Sequence, residues 1–426
     1  MKAADIHTLF LECNSVSTDT RKIKPSDMFF ALKGDNFNGN SYADAAIKSG
    51  AKYAIVDESI YNTSNKTILV KNTLKTLQEL SAYHREYLRV PIVALTGSNG
   101  KTTTKELINA VLSEKHITTA TIGNLNNHIG VPLTLLSMTE HTEIGIVEMG
   151  ANHQKEIEFL CNIAKPDFGY ITNFGKAHLE GFGGIEGVIK GKSEMYDYLI
   201  SENKHIFVNT NDNIQVAKTK NANLYRFGNK TNEVDVLVSF IEAQPFVKCL
   251  YNGLEIQSQL IGDYNFNNIA AAVAIGNYFK VNDYAIKTAI ERYIPTNNRS
   301  QIIEKGSNKI ILDAYNANPT SMHAALLNFE KQKGHKIAIL GDMFELGEEA
   351  KEEHQNIMDL AISMNIDEVV FVGDNFHKAE AKSNKPKLFK SFDDLKNSII
   401  LSEIKNSTLL IKGSRGMALE RVLELL

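Results

Sequence analysis

The sequence predicts an α/β protein built from three successive domains, over residues 1–88, 89–295 and 296–426. Three observations carry that expectation. The chain has 426 residues, more than one hydrophobic core of ordinary size serves, since domains run to roughly 100–200 residues. Short apolar runs alternate with stretches whose apolar residues recur every three or four positions, the pattern of parallel strands joined by helices. Finally, Pro91-Ile92-Val93-Ala94-Leu95 leads into Thr96-Gly97-Ser98-Asn99-Gly100-Lys101-Thr102-Thr103-Thr104, and Leu107, Ile108, Val111 and Leu112 follow at helical spacing. That reads as a buried strand, a tight glycine loop and a helix.

Composition narrows the class. Hydrophobic residues make up 43% and charged residues 23%, ordinary for a soluble globular chain. The net charge of −4 creates no bulk field to recruit nucleic acid or anionic lipid. Cys13, Cys161 and Cys249 lie far apart, with neither metal-ligand spacing nor a disulfide framework. This fits a reducing compartment, so a cytoplasmic protein is expected. Asp5 and Glu12 interrupt any apolar N-terminal segment, and no run approaches the ~18–20 apolar residues of a membrane span. No signal peptide, no membrane insertion and no nucleic-acid partner are expected.

In the first domain Asp27–Leu32, Tyr53–Val56 and Thr67–Val70 read as strands, and Tyr42–Ser49 as a helix ended by Gly50. Leu74, Leu77, Leu80, Tyr83 and Tyr87 form an amphipathic helix leading to Pro91. Two polar loops punctuate the unit, Ser17-Thr18-Asp19-Thr20-Arg21 and Lys33–Ser41. Such a loop can hold a ribose or pyrophosphate, or can be a capped turn.

The central domain opens with the glycine loop. Its backbone N–H groups and the positive end of the following helix suit an anion. Lys101 adds a charge for the outer phosphates, and Thr102 or Thr103 a hydroxyl for Mg²⁺. The usual P-loop has glycine where Leu95 stands, so this loop is tighter. Ala120–Pro132 is a loop rich in amides and glycine. Ile144–Val147 is a buried strand ending in Glu148, and Phe168–Thr172 another, followed by Asn173, His178 and Glu180. Ligands of doubly wound sheets lie outside the carboxyl ends of the strands, where Glu148, His178 and the loop all fall. Glu148 is either a Mg²⁺ ligand or a helix cap, and His178 either a ligand or a structural histidine. In the helical stretch Val188–Leu199, Lys190 and Lys192 read as a solvated face. Asn265, Asn267 and Asn268 open another helix as caps, or read a nucleobase edge.

The third domain follows Asn297-Asn298-Arg299-Ser300. Lys309–Leu312, Ile337–Leu340, Val369–Val372 and Leu409–Ile411 read as parallel strands, each ending in glycine or polar residues. The unit is Rossmann-like. No G-x-G-x-x-G follows its first strand, which argues against a nicotinamide dehydrogenase.

These motifs together resemble the Mur ligase family. The resemblance is carried by Thr96–Glu106, Asn124–Pro132, Glu148-Met149-Gly150-Ala151-Asn152, Asp313-Ala314-Tyr315-Asn316-Ala317-Asn318-Pro319, Leu340-Gly341-Asp342-Met343 and Lys412-Gly413-Ser414-Arg415-Gly416. It spans nearly the whole chain. Another Mur-type ligase that adds one amino acid is a rival reading; the first domain argues against a folylpolyglutamate synthetase, and a P-loop kinase or a non-catalytic nucleotide-binding module would not need Glu148, His178 and Lys192 together. It implies an ATP-dependent, ADP-forming ligase of peptidoglycan synthesis. The carboxylate of UDP-N-acetylmuramoyl-tripeptide becomes an acyl phosphate, which the amine of D-alanyl-D-alanine displaces.

By matching motif, the resemblance implies that Gly97, Ser98, Asn99, Gly100, Lys101, Thr102 and Thr103 cradle ATP. Asn268 contacts adenine, Arg299 a phosphate and Asp313 the ribose, with Tyr315 and Asn316 flanking the nucleotide. Thr102, Glu148, His178 and Lys192 hold two Mg²⁺ ions, Lys192 as a CO₂-derived carbamate. Catalysis falls to Lys101, Lys192, His178 and Glu148. Ser17, Thr18, Asp19 and Arg21 form the uridine-diphosphate site, and Asn126, Asn127 and His128 flank the muramoyl-peptide. Lys412, Ser414 and Arg415 reach toward the peptide or the dipeptide. At the junction Thr296-Asn297-Asn298-Arg299 the chain departs from the commoner Gly-Arg pairing. A monomer is expected.

Overall fold

The computed structural model describes residues 2–229, 233–398 and 401–426. It carries three mainly parallel sheets, one after another along the chain. The first has four strands in the order Val16–Ser17, Met28–Phe30, Tyr53–Val56, Thr67–Leu69, all parallel. Met28, Phe30 and Ile55 face one core, and Phe29, Ala54 and Val56 the other. Successive side chains point to opposite faces, and both faces are covered.

Helix Thr73–Leu88 ties this unit to the next. Its Asn72 cap accepts from Lys75 N at 2.8 Å. Leu77 and Leu80 enter the first core together with Leu136, which comes from helix Gly130–Leu136 of the following unit. Arg85 reaches the far side, donating to Ala164 O and Lys165 O and pairing with Asp167 at 2.6 Å.

The second sheet has nine strands. Ile92–Thr96 lies inside it, parallel to Phe168–Ile171 on one side and Ile144–Glu148 on the other. Ile92 and Ala94 pack into one core and Val93 and Leu95 into the opposite one, which explains the uninterrupted apolar run. Helix Lys101–Leu112 buries Leu107, Ile108, Val111 and Leu112 beside helix Asn265–Tyr278. At one edge Val236–Glu242, Lys248–Tyr251 and Leu254–Gln257 form an antiparallel extension that sequence reasoning did not find. The third sheet runs Gln301–Lys305, Asn308–Asp313, Ser407–Lys412, His335–Gly341, Glu368–Val372, Pro386–Phe389, parallel except for its first strand. Among the described residues no helix is long and apolar enough to cross a membrane.

Candidate active site

Gly97 (φ +142°) and Gly100 (φ +78°) turn the chain out of Ile92–Thr96 and straight into helix Lys101–Leu112. Gly97 leaves no room for a side chain, because a Cβ there would lie 2.0 Å from the Thr172 hydroxyl. The neighbouring strand pins the loop. Thr172 Oγ1 and Asn173 Nδ2 donate to Asn99 O at 2.6 and 3.0 Å, and Asn99 N donates to Asn173 Oδ1 at 3.1 Å. The unpaired amides of the helix start therefore face an anchored concavity. Lys101 folds back on it, donating to Gly97 O at 2.6 Å and Ser98 O at 3.2 Å. Burial pulls the Lys101 amine down to about 8, against the opposing charge of Glu148.

Glu148 closes its strand 1% exposed. Thr102 Oγ1 lies 3.0 and 3.2 Å from its two oxygens, and Asn126 Nδ2 donates to one of them at 2.8 Å. Among the described residues no Lys, Arg or His forms an ion pair with this carboxylate. A buried carboxylate without a cation is costly, and a carboxylate beside a hydroxyl is an oxygen set that suits Mg²⁺. His178 stands at the rim in a left-handed conformation (φ +53°), its Nδ1 bonded to the Glu345 carboxylate of the third domain. Among the described residues no three His, Cys, Asp or Glu side chains cluster tightly enough to hold an ion unaided.

Lys192 corrects the solvated-face reading. Helix Ile185–Ser201 turns Lys190 outward but buries Lys192 completely, with Nζ donating to Ala151 O at 3.0 Å and lying 5.0 Å from the Phe182 ring centre. Burial, helped by the charge of Lys101, drives this amine well below the usual lysine range. Ala151 itself lines the central cavity.

The opposite wall comes from the third domain. Lys412 Nζ donates to Asp313 Oδ2 at 2.6 Å and Asn316 O at 3.3 Å, and Ser300 N donates to Asp313 Oδ1 at 3.1 Å. The Arg299 guanidinium lies 3.7 Å over the Tyr315 ring, and its buried Nε has no partner among the described residues. Asn297, Asn298 and Ser300 take positive φ values of 69°, 55° and 50°. The junction thus forms without glycine, since asparagine tolerates the left-handed region better than most residues. Asn318 Nδ2 reaches across to Asn99 Oδ1 at 2.7 Å.

These walls enclose a cavity of about 560 Å³. Ser98, Asn99, Gly100, Lys101, Thr102 and Thr103 line it, with Asn126, Asn127, His128, Glu148 and His178. Asn268, Arg299, Asp313, Tyr315, Asn316 and Lys412 complete the expected residues present there. Some of these are already engaged. Asn268 accepts from Thr104 Oγ1 at 2.9 Å and donates to Asn265 Oδ1 at 2.8 Å, leaving one amide N–H. Asn127 Oδ1 caps helix Gly130–Leu136.

Other expected residues lie elsewhere. Ser414 is buried behind the wall, donating to Ala317 O at 3.4 Å and accepting from Phe344 N at 2.9 Å. Arg415 turns to Glu420 at 2.9 Å. Ser17, Thr18, Asp19 and Arg21 do not line the cavity. They form a capped turn on the first domain, where Arg21 bonds Asp19 and holds its carboxyl near 2. Sequence reasoning did not single out Asn318, Thr320 or Glu345. The one available signal was the helix-cap pattern Asn318-Pro319-Thr320-Ser321 at a strand's carboxyl end.

Comparison with known proteins agrees with this geometry. Residues 12–87 match a model described as Mur ligase family, catalytic domain; 95–276 match the Mur ligase middle domain, and 298–415 the Mur ligase glutamate ligase domain. The chain is 34% identical to the UDP-N-acetylmuramoyl-tripeptide–D-alanyl-D-alanine ligase of Bacillus subtilis, across 96% of this chain and 92% of that one. It is 33% identical to the Escherichia coli protein of the same name, across 97% and 93%. Among solved structures it resembles MurF from Acinetobacter baumannii, with a TM-score of 0.87 and 30% identity over 99% of this chain and 98% of that one. MurF from Thermotoga maritima in complex with ADP gives 0.84 and 26%, over 98% and 97%.

Proposed function

The chain belongs to the Mur ligase family, and from that membership we propose that it joins D-alanyl-D-alanine to UDP-N-acetylmuramoyl-tripeptide, converting ATP to ADP and phosphate. One observation carries the reading in this molecule. A single cavity has the phosphate loop on one wall, the Asn126–His128 loop beside it and Arg299 opposite, so a γ-phosphate and a peptide carboxylate fit there together.

A carboxylate is a poor electrophile. Its oxygen attacks the γ-phosphorus, the bond to the β–γ bridging oxygen breaks, and ADP leaves. The dipeptide amine then attacks the acyl carbon, the carbon–oxygen bond breaks, and phosphate and a proton are released. The protein's part is positioning and charge neutralisation. The loop amides and Lys101 hold the outer phosphates, Lys101 first releasing Gly97 O and Ser98 O. Arg299, kept flat by Tyr315, adds charge from the other domain. Asp313 takes the ribose and Asn268 offers its remaining N–H to adenine. Asn126, Asn127 and His128 guide the peptide. The uridine diphosphate sits on domain 1–88, where Arg21 exchanges Asp19 for a phosphate.

Thr102, Glu148, His178 and Lys192 would hold two Mg²⁺ ions, which supply charge neutralisation for the triphosphate and the acyl phosphate. Lys192 suits this once carbamylated: a neutral amine adds to CO₂, loses a proton and becomes a carboxylate-like oxygen donor. Its complete burial favours that neutral amine. The protein works as a cytoplasmic monomer, with catalysis shared between domains 89–295 and 296–426.

Phosphate release measured with UDP-N-acetylmuramoyl-tripeptide, with and without D-alanyl-D-alanine, tests this. Release that requires both substrates is expected. Turnover without the dipeptide, or none with it, overturns the reading.

A further inference from the structure

The segment after strand Phe168–Ile171 is clasped by the third domain along its length. Asn173 anchors the phosphate loop. Lys176 N donates to Thr320 Oγ1 at 3.0 Å, and its Nζ pairs with Glu353. Glu180 N donates to Glu345 O at 3.3 Å. Between them the His178 ring meets the Glu345 side chain through Nδ1. Both residues take left-handed backbone conformations, φ +53° and +63°, a region few non-glycine residues occupy, histidine more often than glutamate. Two such residues facing each other across a domain boundary mark a geometry held for function.

The contact adds little to stability as an ion pair, because the Glu345 side chain is 51% exposed. Its chemical consequence is larger. A carboxylate only accepts, so it holds the imidazole proton on Nδ1 and leaves the Nε2 lone pair outward; Nε2 makes no hydrogen bond among the described residues. Metal-binding histidines are oriented by such a partner on the other ring nitrogen, and its loss typically costs 10–100-fold in affinity or activity.

We propose that Glu345 is a positioning residue: it reaches from the third domain to fix the ring and tautomer of His178, so that the central domain's metal site is completed only when the two domains meet. This rests on the proposed ligase reading for the role of His178 as a Mg²⁺ ligand.

The test uses the full-length protein with a non-hydrolysable ATP analogue and Mn²⁺ as the probe. Nitrogen-15 spectra of histidine-labelled protein report the His178 tautomer, with His178→Ala assigning the resonance. Mn²⁺ affinity is read by electron paramagnetic resonance. Wild type should show the Nδ1–H form. Glu345→Ala should mix the tautomers and weaken Mn²⁺ about tenfold or more, with its urea transition unmoved. Glu345→Gln, whose amide oxygen still accepts from Nδ1, should recover most of both signals. Lys176→Ala, which loosens the same boundary without touching the ring, should match wild type. An unchanged tautomer and Mn²⁺ affinity in Glu345→Ala overturns the proposal, as does equal weakening in Lys176→Ala. If wild type shows no dipeptide-dependent phosphate release, the ligase reading falls, while the tautomer and Mn²⁺ data still judge Glu345.

Discussion

Replacing Asn318 separates two jobs that one side chain performs. Its Oδ1 accepts from Ser321 N at 2.9 Å, capping helix Pro319–Glu330, while its Nδ2 donates to Asn99 Oδ1 at 2.7 Å in the phosphate loop. An asparagine cap is worth about 1 kcal/mol and a neutral hydrogen bond about 1 kcal/mol. Asn318→Ala should therefore cost about 2 kcal/mol, the sum of the two. Asn318→Ser keeps the cap, cannot reach Asn99, and should cost about 1 kcal/mol. Asn318→Asp is the informative case. Its carboxylate still caps, but it presents an acceptor to Asn99. The buried Asn99 Nδ2 has no partner among the described residues, so the Asn99 amide can turn over and donate. Stability should then stay within about 0.5 kcal/mol of wild type. The new charge nevertheless lines the phosphate cavity and should weaken ATP about tenfold or more. Urea transitions and ATP titration calorimetry give the two readings. If Asn318→Asp is as unstable as Asn318→Ala, or binds ATP as tightly as wild type, the bridge does not work this way.

Lys192→Ala should lose activity by about 100-fold or more, with a small carboxylate in the buffer restoring part of it by supplying the missing oxygens; no restoration counts against the carbamate. Lys101, pulled down to about 8 in the free protein, regains its proton beside a triphosphate. Above pH 8 ATP binding should therefore take up a proton and weaken as pH rises, by up to tenfold per unit. Calorimetry in buffers of different ionisation heat counts that proton, and Lys101→Met should abolish the uptake. Arg85→Ala strands the carbonyls of Ala164 and Lys165 and leaves Asp167 with Ile92 N at 3.1 Å and, as its one cation among the described residues, Lys204 at 2.8 Å. It should cost about 2–3 kcal/mol and speed proteolysis near residues 88–91; unchanged cleavage would show that helix Thr73–Leu88 docks without it.

Much of the scaffold was legible because period and punctuation are local. The run Ile92–Leu95 and the helix carrying Leu107, Ile108, Val111 and Leu112 fall where apolar spacing puts them. The edge hairpins over Val236–Gln257 were missed: Lys248–Tyr251 and Leu254–Gln257 are only four residues each, and Phe240, Ile241 and Leu250 point apolar groups at solvent, which blurs the alternation. Site residues followed the same division. Glu148 was readable from its place at the end of a buried strand. Lys192 read as a surface lysine because the groups that remove it from water, Phe182 and the Ala151 carbonyl among them, come from other parts of the chain.

By itself the sequence determined the strand–loop–helix that can cradle a phosphate, the order of the three sheets and the residues at their carboxyl ends, since each depends on neighbours a few positions away. Only the tertiary structure decided that Asn99 meets Asn318, that His178 meets Glu345, that Lys412 is spent on Asp313, and that Ser414 and Arg415 face elsewhere. Those partners lie 219, 167 and 99 residues apart for the first three pairs, and no local period encodes which surfaces of two domains will touch or, for Lys412 and Asp313, which strands of one sheet will lie side by side. The burial that lowers the Lys101 and Lys192 amines is likewise a property of everything packed around them, which is why their chemistry emerges only once the chain has folded.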